Sequence, residues 1–197
     1  MATIGVLRFS VRLTSVAALF DLGGDFYDCC IFGHSGFSEE EKYKQRLLDL
    51  FDEQLSGEQV DFYLGYYGRF NRFAYSCAKK YKEKHPNANL ILVTPYFNET
   101  THSVLKPDYD MILYPELESV PLKYRIIKRN EWTARAADLI ITYVTHSFGG
   151  AYKAYSYAKK EGKENHQSLR TIKTGPLGIP STEEGVKSVL FFHSFTV

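Results

Sequence analysis

Four short stretches of this chain are dominated by apolar residues without an every-other-residue alternation. They are FYDCCIFG (26–33), VDFYLG (60–65), NLILVTP (89–95) and DLIITYV (138–144). A strand with one wet face alternates apolar and polar side chains; a continuous run belongs in a sheet covered on both faces. The segments between them carry a different period. SEEEKYKQRLLDLFDEQL opens on Ser38 with Glu41 three residues later, a capping-box pattern, and then places Tyr43, Leu47, Leu50, Phe51 and Leu55 on one helical face. RFNRFAYSCAKKYKEK lines Phe70, Phe73, Ala74, Cys77, Ala78 and Tyr81 along one stripe. After a polar connection (96–110) comes the short strand-like MILYP. PLKYRIIKRNEWTARAAD reads as helical after Pro121, feeding Ile126, Ile127 and Trp132 towards the core. The last strand ends in THSFGGA, and Ala151, Ala154, Tyr155 and Ala158 follow at helical spacing.

Buried strands alternating with amphipathic helices predict an α/β fold: a three-layer, Rossmann-like domain with a mostly parallel central sheet and helices on both faces. The expected organisation is a lead-in over 1–24 broken by Gly23-Gly24, the Rossmann-like domain over 25–163, and a divergent tail over 164–197. Within that tail VKSVLFFHSF is the stretch suited to one added strand. At 197 residues the chain has room for one domain with a proper core.

Composition removes several classes of function. The formal net charge of +1 gives no global field for nucleic acid, and no basic stripe is visible, so a nucleic-acid partner is not expected. Cys29, Cys30 and Cys77 form neither an even disulfide framework nor a CxxC, and the adjacent pair reads as small buried hydrophobes. The six histidines include no HExxH or HxH, so no metal site is expected. The apolar runs are far shorter than the ~18 residues of a membrane span. RLTSVAALF (12–20) has the flavour of a signal h-region, but Asp21 follows without a cleavage pattern; a cytoplasmic protein is expected. Self-association is left open by the sequence.

In open parallel sheets ligands bind outside the carboxyl ends of the strands. Three glycine-bearing junctions fall there: FGHSGF (32–37), LGYYGRFN (64–71) and THSFGGA (145–151). Glycine lets backbone N–H groups approach an anion, and a helix N-terminus adds a favourable dipole. The candidate phosphate-binding residues are therefore Gly33, His34, Ser35, Gly65, Gly68, Asn71, Ser147, Gly149 and Gly150. Arg129 and Asn130 join them, since a guanidinium fork matches phosphate; a solvated helix face is the plainer use of that pair. His34 reads as bonding a loop carbonyl, with acid–base work as its alternative, and Ser147 as a phosphate ligand or a helix cap. Glu116 and Glu118 are the loop carboxylates available for catalysis. No nucleophile–base pair, no GxxxxGK[ST] and no GxGxxG is present, and no cofactor is required.

CCIFGHSGF, VDFYLGYYGRFNRFAYSCAKKYKEKHPNANLILVTPY and PLKYRIIKRNEWTARAADLIITYVTHSFGGAYKAYSYAKKEGK, taken in order over about residues 27 to 163, resemble the SLOG superfamily in its YpsA-like (DUF1273) branch. The resemblance implies a Rossmann-like fold that holds a nucleotide or a related phosphate-sugar ligand, as a binding module or sensor. The alternative it implies is hydrolysis or transfer at a nucleotide's N-glycosidic bond, with Glu116 or Glu118 stabilising ribosyl charge. Three departures stand out. Ser35 replaces the arginine of the relatives' Gly-His-Arg, Asn71 replaces an aspartate, and ENHQSLRTIK stands where a last strand is expected after Lys163. The PGGxGTxxE motif of the superfamily's hydrolases is missing, so their mechanism does not transfer.

Overall fold

A computed structural model describes residues 7–8, 26–55, 59–96, 98, 105, 108–160 and 169–171. In chain order the elements are β1 (Leu7–Arg8), β2 (Phe26–Gly33), α1 (Glu40–Leu55), β3 (Gln59–Leu64), α2 (Arg69–Lys84) and β4 (Asn89–Val93). They continue with β5 (Met111–Tyr114), α3 (Leu122–Ala136), β6 (Leu139–Tyr143), α4 (Gly149–Lys160) and β7 (Leu169–Thr171). The sheet order is β1-β5-β4-β3-β2-β6-β7, and every pairing is parallel. The expected α/β fold is thus present, with five principal strands flanked by two very short ones.

Successive strand residues point to opposite faces, so one sheet feeds two cores. Cys29, Ile31, Phe62, Leu64 and Ile141 pack with the predicted faces of α1 and α2. Cys30, Phe32, Tyr63, Ile91 and Ile140 pack against Ala134, Ala151, Ala154, Tyr155 and Ala158 of α3 and α4. The buried residues of α1 and α2 are the ones the helical period selects. Small alanines on α4 let that helix sit close to the sheet.

Three expectations need correcting. Helix α1 begins at Glu40, with the Glu39 carbonyl accepting from the Tyr43 N–H, so the chain enters the helix later than a Ser38 cap predicts. Helix α3 buries Arg129, Asn130, Thr133 and Ala134, while Ile126 is exposed and Ile127 and Trp132 are half-buried. Its polar pair faces inward. Within ENHQSLRTIK the chain does form a strand, β7, paired with β6; the VKSVLFFHSF stretch lies outside the described residues. Among the described residues no helix is long and apolar enough to cross a membrane.

The chain leaves β2 and moves outward through β3, β4 and β5, then crosses back to lay β6 on the other side of β2. The reversal lies between β2 and β6. Loops leaving these two strands run to helices on opposite faces, α1 and α4, and part to open a crevice. That is where an open α/β sheet binds its ligands.

Candidate functional site

A cleft of about 440 Å³ occupies this switch point, the size of a small-ligand site. Gly33, His34, Ser35 and Gly36 come from the loop after β2, and Gly68 and Asn71 from the start of α2. Arg129 and Asn130 come from α3, and Gly149 and Gly150 from α4. The three glycine junctions therefore meet at one edge of the sheet. Four of the predicted residues stay outside the lining: Gly65, Ser147, Glu116 and Glu118.

Arg129 dominates the electrostatics. Only 5% of it is exposed, its Nε has no hydrogen-bond partner, and no carboxylate pairs with it among the described residues. Helical side chains tilt towards the helix N-terminus, which for α3 is the carboxyl edge of the sheet. Burial pulls its pKa down to about 10, against the favourable fields of Cys30, Tyr67 and Tyr109. The group is still a cation at neutral pH. A buried charge without a counter-charge is costly, and an anion in the cleft would offset that cost. Gly65 serves Arg129 from below, since a Cβ there would lie 2.9 Å from the Arg129 Nη1 and from the Asn71 amide. Asn71 is held in turn by its Nδ2–H donating to the Tyr67 carbonyl.

The glycines divide by role. A Cβ on Gly33 would meet the Phe70 ring at 2.6 Å, so that glycine answers to packing. Gly68 and Gly149 have φ of +89° and +86°, a backbone region that favours glycine, and turn geometry accounts for both. Gly150 is different. Its φ is unexceptional, and a Cβ there would have only the Asn130 amide nitrogen near it, at 3.9 Å. Neither strain nor packing requires glycine at 150, which leaves bare backbone at the first turn of α4 facing the cleft. The two glycines of the pair thus differ: a positive φ explains Gly149, whereas neither φ nor packing explains Gly150.

His34 ties the two loops together. The Thr145 N–H donates to its Nδ1 at 3.1 Å, and Nε2 lies 3.1 Å from the Phe148 carbonyl, so the neutral Nε2–H form satisfies both contacts. Burial, then the neighbouring His146, lower its pKa below the ordinary histidine value. With both nitrogens occupied, His34 is a brace and not a free base. His146 stacks on it at 3.5 Å and also approaches the Phe148 carbonyl, at 3.1 Å.

Glu116 and Glu118 are exposed in the turn between β5 and α3; Glu116 takes φ 36° there, and the Glu118 carbonyl accepts from Arg125. None of the cleft-lining residues is an aspartate or glutamate. Ser147 is exposed beside the cleft. Among the described residues no cluster of three or more histidine, cysteine or acidic side chains could hold a metal. Sequence reasoning missed Tyr67, Ile126, His146 and Phe148, all in the lining. The chain's 15 Tyr and 14 Phe are the signal that could have pointed to Tyr67 and Phe148; none marked Ile126 or His146.

No protein-family model matches the chain, and no curated protein matches it in sequence. Two solved structures are similar in fold. One is DNA processing protein A from Helicobacter pylori, described for its mode of binding single-stranded DNA. It shares 15% identity and a TM-score of 0.50, over 76% of this chain and 66% of that one. The other is the structural-genomics target TM1055, with 13% identity and a TM-score of 0.45, over 69% of this chain and 70% of that one. This chain thus spans a little under two thirds of the first. At such identities the first likeness speaks for the Rossmann-like sheet alone, in agreement with the strand order.

Proposed function

We propose that this protein binds a nucleotide, or a nucleotide-derived phosphate sugar, as a ligand-binding module or sensor. The phosphate sits between the Arg129 guanidinium and the bare backbone of Gly150. One observation carries the reading: a fully buried arginine without a counter-charge, opening on a cleft at the switch point of a parallel sheet. Membership of the SLOG superfamily, in its YpsA-like branch, is part of the proposal and fits the sheet order and the ordered glycine junctions. Binding is favoured over N-glycosidic cleavage because the lining offers no carboxylate to stabilise ribosyl charge, and His34 has no free nitrogen.

The fold neighbour's single-stranded DNA returns a strand to consideration, because one phosphate on Arg129 could come from either source.

The test is thermal melting with AMP, ADP-ribose, ribose 5-phosphate and a single-stranded oligonucleotide. A ligand at a hundred times its Kd raises the stability of the folded state by about 2.7 kcal/mol. At least one probe should raise the melting temperature, and Arg129→Ala should weaken it by about one to two decades, the worth of one charge-assisted hydrogen bond. Unshifted melting with all four probes would sink the reading.

A further inference from the structure

Phe148 is the most exposed large apolar side chain among the described residues, at 68%, and it lines the anion cleft. Its position is not loose. One face of its ring lies on His146, with centroids 3.8 Å apart and planes 20° from parallel. His146 lies in turn on His34, 3.5 Å away and 16° from parallel. Three rings thus form one stack that begins at the buried His34 and ends in solvent at Phe148. The backbone carbonyl of Phe148 is fixed as well, within 3.1 Å of a nitrogen on each histidine. A ring this exposed gains nothing for the fold, yet two histidines hold its backbone and back one of its faces. The other face is uncovered, and Phe148 and Arg129 line the same cleft.

Resting on the phosphate reading above, we infer that Phe148 is the platform for the planar base of the ligand, which becomes the fourth ring of the stack. Aromatic faces accept any nucleobase, because every base has a π-face, and the contact is sequence-tolerant. A preformed stack also spares the ligand the ordering of a free side chain. The ligand therefore carries a base and a phosphate together, and a sugar phosphate without a base fills only half of the site.

Titration calorimetry with AMP and ribose 5-phosphate separates the two halves. Phe148→Ala should weaken AMP about ten-fold or more, while ribose 5-phosphate stays within about two-fold of its original affinity. Phe148→Trp should keep AMP binding and Phe148→Leu should not, since leucine keeps the apolar bulk and loses the ring. Arg129→Ala should weaken both probes. A 5′-phosphorylated single strand of deoxythymidylate, run in parallel, tells the sources apart. Dependence on Phe148 for the strand alone assigns the stacked base to DNA, and dependence for AMP assigns it to a free nucleotide; either supports the platform. Unchanged affinity of Phe148→Ala for AMP and the strand, with Arg129→Ala still impaired, overturns the platform and leaves the phosphate site standing. Equal loss of AMP and ribose 5-phosphate in Phe148→Ala also overturns it. Wild-type protein that binds none of the three probes removes the phosphate reading and the platform with it.

Discussion

At the carboxyl edge of the sheet the buried titratable group is Arg129; at the amino edge Asp28 and Asp61 are buried, paired in register on β2 and β3. All three side chains are almost wholly removed from water. Burial, then the neighbouring Asp61, raises the pKa of Asp28 to about 8, and neither of its carboxyl oxygens has a hydrogen-bond partner among the described residues. Asp61 is raised to about 6, again chiefly by burial, while the Asn89 amide donates to it at 2.8 Å. Asp28 escapes its burial by keeping a proton at neutral pH. Arg129 has no such exit, because about 10 is still far above neutral. Protonation relieves the burial of Asp28, whereas at Arg129 the relief would come from the anion proposed for the cleft. The difference teaches that equal burial leaves Asp28 neutral and Arg129 charged at neutral pH, so the two edges of the sheet present different electrostatics.

Breaking the amino edge should give the largest effect. Below pH 3.8 Asp28 is protonated folded and unfolded; between 3.8 and about 8 only the folded state holds the proton. The folded state binds more protons there, so stability falls as pH rises through that window. A tenfold change in proton affinity corresponds to about 1.4 kcal/mol, so a window from 3.8 to about 8 amounts to several kcal/mol. Asp28→Asn should therefore melt well above the wild type near pH 8, with the gap closing towards pH 4. Parallel melting curves for the two proteins would show that Asp28 is not the proton's home. Asp61 adds to the slope in the same direction between 3.8 and about 6.

At the carboxyl edge Arg129→Met should lose one to two decades of nucleotide affinity, yet melt no lower than the wild type without ligand. Replacing a buried charge by an apolar chain of similar length is neutral or stabilising by about 1–4 kcal/mol. A large drop in melting temperature would mean that Arg129 has an internal partner and that the contrast between the edges is false. Gly33→Ala sharpens the comparison inside the cleft. Its Cβ must displace the Phe70 ring, costing about 1–3 kcal/mol of stability, while protein that still folds binds its ligand normally. Gly150→Ala should do the reverse. Alanine has room at 150 and favours a helix over glycine by about 0.5–1 kcal/mol, so melting holds or rises. Affinity should fall, measurably but by less than for Arg129→Met. Unchanged affinity would show that the bare backbone at Gly150 takes no part in binding.

Much of this was legible in the chain itself. The uninterrupted apolar runs determined β2, β3, β4 and β6, and the helical period selected the buried faces of α1 and α2 residue by residue. Both signals are local, since a side chain's face follows from its spacing within one element. The gathering of the glycine junctions at one edge followed from parallel connectivity. What only the tertiary structure decided lies where elements meet. Whether α3 turns Arg129 and Asn130 inward or its isoleucines depends on what stands opposite, and opposite lies a cleft, with Gly65 leaving space below. The split between Gly149 and Gly150 needs a backbone angle and a neighbour distance, neither of which a pair of identical letters can carry. The ring stack under Phe148 could not be read either, because it reaches back through His146 to His34. A stack across so long a stretch of chain exists only once β6 has paired with β2.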